Sequence, residues 1–331
     1  MASLPLIDDT AQREAILLRG REVVLVEREA LELLEGALDD SFVEACNAIY
    51  ACRRQLVVSG MGKSGHIARK IAATFAATGT PAAYVHPGEA SHGDLGILAS
   101  GDVLLVLSNS GNTAELRALL THARKMGVCV IGIASRRNSL VMDNADIPIV
   151  LPAVREACAV NVAPTTSTTM QLALGDALAM TVMDIRGVSR DYLRNIHPGG
   201  TIGLRLTPVG EIMHGPERLP LVSLATGMSD VISIMTSGHF GVAGVVDNSG
   251  RLVGIITDGD VRRHFSALPI ATAADVMTRE PKTLPSAMIA EDALSFLNNA
   301  EITSAFILDE NGGGFPIGII NIHDLLRCGL S

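Results

Sequence analysis

The sequence predicts a doubly wound α/β fold: an amino-terminal domain with a five-stranded parallel sheet, followed by a tandem pair of smaller repeats. Between residues 55 and 187, short apolar runs alternate with helical stretches, which is typical of parallel strands covered by helices on both faces. Beyond residue 206, two segments share one plan. The length of 331 residues also exceeds what one hydrophobic core usually holds, so two or three domains are expected.

The elements of the sheet domain follow from apolar spacing. Residues 11–54 are predicted to be helical, because Leu31, Leu34 and Leu38 recur at roughly helical spacing. Apolar runs then predict five strands, at residues 55–59, 82–86, 102–108, 128–134 and 147–151. Helices are expected between and after them, from 66 to 78, up to Met126, and from 165 to 187. Ligands of such sheets bind beyond the carboxyl ends of the strands.

The carboxyl-terminal segments form an internal duplication. Matching positions recur at nearly constant separation: Met213 and Met277, Asp247 and Asp309, Gly254 and Gly318, and Asp260 and Asp324. Each copy predicts a helix, two strands around an Asp-x-x-Gly hairpin turn, and a second helix. The expected domains are therefore residues 1–206 for the sheet domain, 207–268 for the first repeat and 269–331 for the second.

Composition excludes several classes of partner. A net charge of −9 argues against a nucleic-acid surface, although backbone amides can still hold a phosphate. The five cysteines are scattered, without a CxxC pair, which favours free thiols in a reducing compartment. The first residues carry no apolar segment typical of a signal peptide, and the apolar runs elsewhere have strand length. We expect a soluble, cytoplasmic protein with no membrane partner.

Three polar loops connect predicted strands to predicted helices. They are Gly60-Met-Gly-Lys-Ser-Gly-His66, Ser108-Asn-Ser-Gly-Asn-Thr113 and Pro164-Thr-Thr-Ser-Thr-Thr169. A helix amino terminus offers free N–H groups and the positive end of the helix dipole to an anion. Each loop alone could be a tight turn or a helix cap. Together they converge on one edge of the sheet, and this convergence favours a phosphate site.

Ionisable side chains lie close to these loops in the sequence. The loop from His86 to Asp94 contains two histidines and two acids, including His92, while Glu115 and Glu156 stand near helix starts. Carboxylates and imidazoles can move protons, and an ammonium group can stabilise developing negative charge. Ordinary structural roles remain open: Glu115 could only complement a helix dipole, and His86 could be a loop histidine. A zinc site from His86, His92 and Asp94 matches no strong signature, so no metal is expected.

The motifs as a set resemble a known arrangement of domains. The segments that carry the resemblance are GMGKSGHI, TGTPAAYVHPGEASHGDLG, SNSGNTAE, REAC…APTTSTT, GDALA, HPGG and the repeat pair. The chain is similar to a sugar isomerase (SIS) domain joined to a pair of cystathionine-β-synthase (CBS) repeats, as in the D-arabinose-5-phosphate isomerases. The resemblance implies interconversion of D-ribulose 5-phosphate and D-arabinose 5-phosphate through an enediol, without a cofactor. It further implies a homotetramer and a role in the synthesis of 3-deoxy-D-manno-octulosonate (Kdo) for lipopolysaccharide.

The resemblance also assigns residues. The phosphate-binding set is Ser64, Ser108, Asn109, Ser110 and Thr113, with Thr165, Thr166, Ser167 and Thr168 bordering the same pocket. The polar active-site set is Lys63, His92, Glu115, Glu156 and His197. Glu156 is expected to be the base that forms the enediol, and His197 to open the ring or move a proton from a neighbouring subunit. Asn112 stands where many relatives carry glutamate.

The first repeat carries the ribose-binding pattern of CBS units, G-x-x-T-x-x-D, with Thr257 and Asp260 in the last two places. The second repeat has Asn321 in place of the threonine and retains Asp324. A nucleotide or nucleotide-sugar effector at the first copy is one expectation. The alternative is that the pair only builds the oligomer.

Two other functions remain open at this stage. The same fold could isomerise another sugar phosphate, for instance one of a hexulose or capsule pathway. It could instead be a non-catalytic sugar-phosphate sensor, although such regulators usually carry a DNA-binding helix-turn-helix and no basic segment precedes residue 40. NAD-dependent chemistry is disfavoured because the first loop lacks the G-x-G-x-x-G fingerprint.

Overall fold

Helices and strands alternate along the first half of the chain, much as the apolar pattern predicts. The computed structural model describes residues 10–198, 200–309, 313–327 and 329–330. Residues 1–9 and Ser331 lie outside the described residues, as do Gly199 of the HPGG motif, residues 310–312 of the second hairpin turn, and Cys328. The chain divides into two compact units, Met1–Ser189 and Arg190–Ser331.

The first unit holds five strands and the helices around them. The strands are β1 (Leu56–Gly60), β2 (Ala82–Val85), β3 (Val103–Leu107), β4 (Cys129–Ala134) and β5 (Ile147–Val150). The helices are α1 (Thr10–Gly36), α2 (Asp40–Tyr50), α3 (Gly62–Ala77), α4 (Pro87–Ala90), α5 (Leu116–Met126), α6 (Leu140–Asp143) and α7 (Thr166–Arg186), with a 3₁₀ turn at Asp94–Ile97. No helix among the described residues combines the length and the apolar character needed to cross a bilayer.

The strands form one parallel sheet in the order β2-β1-β3-β4-β5. The chain starts near the middle, runs to one edge and then returns to build the other, which is the doubly wound topology. The side chains of β1 and β3 are buried on both faces of the sheet. This explains why these strands read as continuous apolar runs rather than as alternating ones. The predicted fold class is confirmed.

Two helix boundaries differ from the prediction. Residues 11–54 form two helices, because the chain breaks after Gly36 and Asp39 caps α2 by accepting a hydrogen bond from the Ser41 amide at 2.9 Å. The helix after the first glycine-rich loop begins at Gly62, earlier than the predicted start at His66. Gly62 takes a positive φ of 60°, which only glycine adopts at little cost.

Helices α3 and α7 run parallel on one face of the sheet. A Cβ atom on Gly175 would overlap the Ile71 side chain, so the two backbones approach closely at this point. Near the carboxyl ends of both helices, the Arg186 guanidinium donates to the Thr80 hydroxyl at 3.1 Å. Gly175 and Ile71 each lie nine residues after the start of their helix, so α3 and α7 both begin toward the carboxyl edge of the sheet.

The second unit contains the duplicated modules. Its helices are α8 (Arg190–Ile196), α9 (Thr201–Arg205), α10 (Val209–Ile212), α11 (Met228–Gly238), α12 (Asp258–Arg263), α13 (Ala273–Val276), α14 (Ala290–Asn299) and α15 (Ile322–Arg327), with a 3₁₀ turn at Pro216–Arg218. Its strands are β6 (Leu221–Ser223), β7 (Val242–Val246), β8 (Leu252–Thr257), β9 (Thr278–Arg279), β10 (Thr283–Pro285), β11 (Ser304–Leu308) and β12 (Pro316–Asn321). In each module an antiparallel hairpin, β7–β8 or β11–β12, lies between two helices, as predicted. The sequence analysis missed β6 and β10, the short parallel strands that precede the first helix of each copy.

The compact units meet at Ser189, whereas the sequence analysis placed the boundary at residue 206. The segment that contains α8 and α9 groups with the repeats because its ion pairs and hydrogen bonds are formed with residues of the repeats. Arg190 forms an ion pair with Asp292 at 3.3 Å, and the Ala290 amide donates to the Thr207 carbonyl at 2.8 Å.

One side chain in α7 is at odds with its surroundings. Gln171 is fully buried, and neither atom of its amide has a hydrogen-bond partner among the described residues. A buried polar group without a partner costs roughly 1–3 kcal/mol. We expect Gln171→Met to raise the free energy of unfolding by about 1 kcal/mol, measured by urea denaturation. Gln12→Met on exposed α1 is the control and should change little. A lower free energy of unfolding for Gln171→Met would contradict the inference that the buried amide destabilises the fold.

Candidate active site

The first candidate loop connects β1 to α3 in a tight turn. A Cβ atom on Gly65 would lie 2.5 Å from the Gly60 carbonyl oxygen, so only glycine fits at this position. The Gly65 amide donates to the Met61 carbonyl at 3.2 Å. Lys63 is exposed and Ser64 is half-buried, both in the first turn of α3. The predicted lysine and serine thus stand at a helix amino terminus that opens to solvent.

The second loop follows β3 and is ordered by its own hydroxyl groups. Ser108 is buried, its Oγ lies 2.8 Å from the Thr113 Oγ1, and it accepts a bond from the Gly111 amide at 3.1 Å. The Ser110 Oγ accepts from the Asn112 amide at 3.3 Å. Ser108 and Thr113 therefore shape the loop, while Ser110 remains on its exposed side.

Two further contacts tie the second loop to the neighbouring segment. The Asn109 carbonyl accepts bonds from the amide and the hydroxyl of Ser135, at 3.0 and 2.7 Å. The Asn112 Oδ1 accepts from the Leu140 amide at 3.0 Å, near the start of α6. Asn112 thus has a structural role here.

The third loop places the Glu156 carboxylate at the amino terminus of α7. Its Oε2 accepts bonds from the Thr165 amide at 2.8 Å, the Thr165 hydroxyl at 3.1 Å and the Ser167 amide at 3.3 Å. Its Oε1 accepts from the Ser167 hydroxyl. An acid at this position is favoured both by free N–H groups and by the helix dipole. The candidate base is therefore fixed in place by the helix that it caps.

The hydrogen bonds also set the charge of Glu156. Burial raises the pKa of its carboxyl group, but the bonds from Ser167 and Thr165 together outweigh burial and leave the pKa below its ordinary value. The group is therefore ionised at neutral pH, as a base must be.

Three hydroxyl groups of the threonine-rich stretch form hydrogen bonds within the protein. The sequence analysis placed Thr165, Thr166, Ser167 and Thr168 beside a phosphate. In the structure, the hydroxyls of Thr165 and Ser167 bond to Glu156, and that of Thr168 donates to the Thr165 carbonyl at 2.8 Å. Thr166 is fully buried, and its hydroxyl has no partner among the described residues. The stretch orders the carboxylate, and its place beside a phosphate stays a prediction.

The segment between Glu156 and α7 contains residues that sequence reasoning missed. The Asn161 side chain accepts from the Glu156 amide at 2.6 Å, and Asn161 itself takes a positive φ of 53°. The Arg19 guanidinium, from α1, donates to the Ala157 carbonyl. The Ala157 amide donates to the Thr165 hydroxyl at 2.9 Å. Asparagine is enriched in left-handed turns, so Asn161 was the one sequence signal available.

Cys158 lies in this same segment, and its sulfur accepts bonds from the Val162 and Ala163 amides at 3.0 and 3.1 Å. Bonds from the Ala163 and Val162 amides lower the pKa of the Cys158 thiol, whereas burial raises the pKa of Cys46 to about 11. The thiolate is the reactive form. We therefore expect iodoacetamide at pH 7.5 to label Cys158 well before Cys46, measured by peptide mass mapping. Equal labelling is expected only in denaturant, and equal labelling of the folded protein would contradict the assignment.

The remaining candidate side chains of the first unit are exposed. His92 follows α4, and Glu115 stands just before α5 without a hydrogen bond that caps the helix. Glu115 lines an open groove of about 580 Å³, together with Ser91, Leu95, Ala114, Arg117, Ala118, Thr121, His122 and Lys125. The His86 Nδ1 accepts from the Gly88 amide at 3.2 Å. Among the described residues, no group of three or more His, Cys, Asp or Glu side chains is placed to hold a metal ion.

His197 belongs to the second unit. Its Nδ1 lies 2.8 Å from the Leu193 carbonyl. A carbonyl only accepts, so Nδ1 carries a proton, and Nε2 is the nitrogen left to exchange a proton with a ligand.

The two repeats use their aspartates in different ways. Asp260 is buried and accepts bonds from the amide and hydroxyl of Thr257, at 2.9 and 2.7 Å, and from Arg263 at 2.5 Å. Burial raises the pKa of Asp260, but the hydrogen bonds from Thr257 and Arg263 lower it by more, so the net pKa lies below its ordinary value. In the second copy, Asp324 accepts from the Asn321 amide at 3.0 Å and lies 3.0 Å from the His214 ring. The repeats thus keep one cap geometry with different partners.

Comparisons with known proteins identify the two kinds of domain in this chain. The SIS domain family model matches residues 49–181, and the CBS domain model matches residues 209–267 and 273–331. The chain is 41% identical over 315 residues to arabinose 5-phosphate isomerase KdsD of Yersinia pestis, covering 94% of this chain and 95% of that protein. It is also 41% identical to KdsD of Pseudomonas aeruginosa, covering 94% and 96%.

A solved structure is also similar. The Escherichia coli CFT073 protein c3406, solved in complex with A5P, is 35% identical, with a TM-score of 0.54. It covers 57% of this chain and is itself matched over its whole length. The resemblance drawn from the motifs is confirmed: an SIS domain precedes a pair of CBS domains in this chain, and the chain belongs to the family of arabinose 5-phosphate isomerases.

Proposed function

We propose that this chain interconverts D-ribulose 5-phosphate and D-arabinose 5-phosphate through an enediol. The observation that carries the proposal is the position of the Glu156 carboxylate at the start of α7, the helix that packs against α3. A phosphate held by the loops at the strand ends would bring the first carbons of a short sugar chain near this carboxylate. The relatives of about 40% identity support the same substrates.

The reaction moves one hydrogen from C1 to C2 and one proton from the C1 oxygen to the C2 oxygen, and it needs no other reactant. Glu156 takes a proton from C1 of the ketose, and the C2 carbonyl oxygen receives a proton to give the enediol. A proton is then delivered to C2 while the C1 hydroxyl loses its proton and becomes the aldehyde carbonyl. The Lys63 ammonium stabilises negative charge on the enediol oxygens. His197 of a neighbouring subunit moves a proton at the sugar oxygens, with Nε2 as the acceptor.

The other assigned side chains form the rest of the site. Ser64, Ser108, Asn109, Ser110 and Thr113 belong to the loops that hold the phosphate. Thr165, Thr166, Ser167 and Thr168 border it and, through Thr165 and Ser167, orient the base. Glu115 and His92 stand at the exposed rim, where they contact the sugar hydroxyls. The product supplies Kdo synthesis for lipopolysaccharide in the cytoplasm.

A panel of pentose and hexose phosphates, assayed without any added cofactor, tests this function. We expect interconversion of the ribulose and arabinose 5-phosphates and little turnover of the hexose phosphates. Turnover of a hexulose phosphate alone would move the assignment to another sugar. Binding without any turnover would instead make the chain a sensor.

We also propose that the protein is a homotetramer. Helix α1 supports this because it exposes large apolar side chains on one groove of about 740 Å³, where Leu17 is 59% and Val24 67% exposed. Patches of this kind mark interfaces. We expect the double variant Leu17→Glu, Val24→Glu to lower the assembly state, measured by sedimentation velocity. Arg13→Glu on the same helix is the control, and an unchanged assembly in the double variant would contradict the role of α1.

The CBS pair is proposed to bind a nucleotide or nucleotide-sugar effector at the first repeat. Thr257 and Asp260 support this, because they form the G-x-x-T-x-x-D pattern at the start of α12. The alternative, that the pair serves only assembly, predicts that adding nucleotides leaves the melting temperature and the activity unchanged.

A further inference from the structure

Tyr84 lies on the edge strand β2 and contacts the loop of residues 60–65, between β1 and α3. Its hydroxyl donates a hydrogen bond to the Gly60 carbonyl at 3.0 Å. Gly60 is the last residue of β1 and the first of the turn that leads into α3. The tyrosine thus joins the edge of the sheet to the beginning of the loop that carries Lys63 and Ser64.

The Tyr84 ring is itself held from two sides. The Arg69 guanidinium, from α3, lies 4.4 Å from the ring centroid, which is a cation–π contact. The His86 ring meets it edge-on, with centroids 6.4 Å apart and planes at 66°. The orientation of the hydroxyl is therefore fixed by contacts from α3 and from the segment after β2. Burial raises the pKa of Tyr84, so the hydroxyl remains a donor at physiological pH.

The atoms around the Tyr84–Gly60 hydrogen bond are closely packed. A Cβ atom on Gly65 would lie 3.0 Å from the Tyr84 hydroxyl and 2.5 Å from the Gly60 oxygen. The hydroxyl, the carbonyl and the first turn of α3 are thus packed directly against each other. Movement of the Gly60 carbonyl would shift the residues that follow it, because Met61 already accepts the Gly65 amide.

We propose that Tyr84 is a positioning residue for the phosphate site, holding the loop of residues 60–65 in its binding conformation through the Gly60 carbonyl. The inference rests on the proposed function, in which this loop contributes Lys63 and Ser64. In this role Tyr84 acts through the loop and not through contact with the substrate. It lowers the cost of ordering the loop when the anion binds, which is preorganisation.

The test compares Tyr84→Phe with the unchanged protein, using inorganic phosphate as the probe in calorimetric titration and the pentose phosphate in kinetics. The variant keeps the ring and loses one hydrogen bond. We expect Kd for phosphate and KM each to rise about five-fold, with kcat within about two-fold. Tyr50→Phe is the matched control, because the Tyr50 ring also lies near an arginine, Arg186 at 5.4 Å, but Tyr50 precedes β1 whereas the loop follows that strand. It should leave both constants unchanged.

A merely structural role gives a different result. It would lower the melting temperature and the active fraction, hence the apparent kcat, while Kd and KM stay constant, and this result would overturn the proposal. If Tyr84→Phe does not fold, Arg69→Met is the second variant, because it removes the cation–π contact that orients the Tyr84 ring. It should raise Kd for phosphate and KM by a smaller factor. Equal phosphate affinity in all variants, or none in the unchanged protein, also overturns it. Absent turnover with normal phosphate binding would contradict the isomerase function alone.

Discussion

Replacing Glu156 with glutamine is expected to lower kcat by about 10²–10⁴-fold, the usual contribution of a general base. Glutamine has nearly the same shape but cannot accept the C1 proton. KM should change only a few-fold, because the phosphate loops are untouched. Steady-state kinetics with ribulose 5-phosphate measures both constants. Glu44→Gln, on the exposed side of α2, serves as the charge-matched control and should retain full activity.

Two results would count against Glu156 as the base. Unchanged turnover in Glu156→Gln would remove it from the chemistry. A large rise in KM with constant kcat would assign it to binding instead. A modest loss of stability is compatible with the role, since glutamine replaces a carboxylate that accepts bonds from Thr165 and Ser167.

The acid limb of the pH profile follows from the same contacts. Hydrogen bonds depress the pKa of Glu156 in the folded protein, so activity that needs its carboxylate should persist below the ordinary glutamate range. Its contribution to stability is present above the unfolded pKa and is lost as pH falls through the depressed folded pKa.

Gly65→Ala is expected to produce the second largest effect, with at least a ten-fold loss of kcat/KM and a destabilisation of roughly 1–3 kcal/mol. The added methyl group would lie 2.5 Å from the Gly60 carbonyl oxygen and 3.0 Å from the Tyr84 hydroxyl. The first contact is backbone, so the loop itself must shift. Kinetics and urea denaturation measure the two effects.

Gly227→Ala is the matched control for this substitution. Gly227 likewise stands near a helix start, directly before α11, but nothing lies within 4 Å of its added Cβ, and its φ is negative. It should therefore leave stability and activity nearly unchanged. Equal behaviour of the two variants would show that the packing around Gly65 does not shape the site.

The strands were predictable because burial on both faces leaves a continuous apolar run, as in Val103–Leu107. The duplication was predictable because its matched glycines and aspartates recur at fixed separation. The short strands β6 and β10 were not, since three residues carry too little pattern to register. The break between α1 and α2 was missed because the residues around Asp39 interrupt the apolar spacing for less than one turn.

The site was predictable as a set of loops and not as a set of contacts. Strand-to-helix junctions converge by topology, so GMGKSG and SNSGNT could be grouped from sequence alone. The hydrogen-bond partner of each hydroxyl group could not be predicted in this way. Thr165 and Ser167 were assigned to a phosphate, yet their hydroxyls bond to Glu156, nine or more residues earlier in the chain. Tyr84 was missed for the same reason, because its partner Gly60 lies on a different strand.

Turnover in deuterated water tests the central claim most directly. The protein is incubated with D-ribulose 5-phosphate in ²H₂O and the product is examined by proton NMR. The enediol route with Glu156 as base predicts D-arabinose 5-phosphate that carries solvent deuterium at C2, formed far more slowly by Glu156→Gln. Product formed with full retention of the substrate hydrogen, in the unchanged protein and in Glu156→Gln alike, would contradict it.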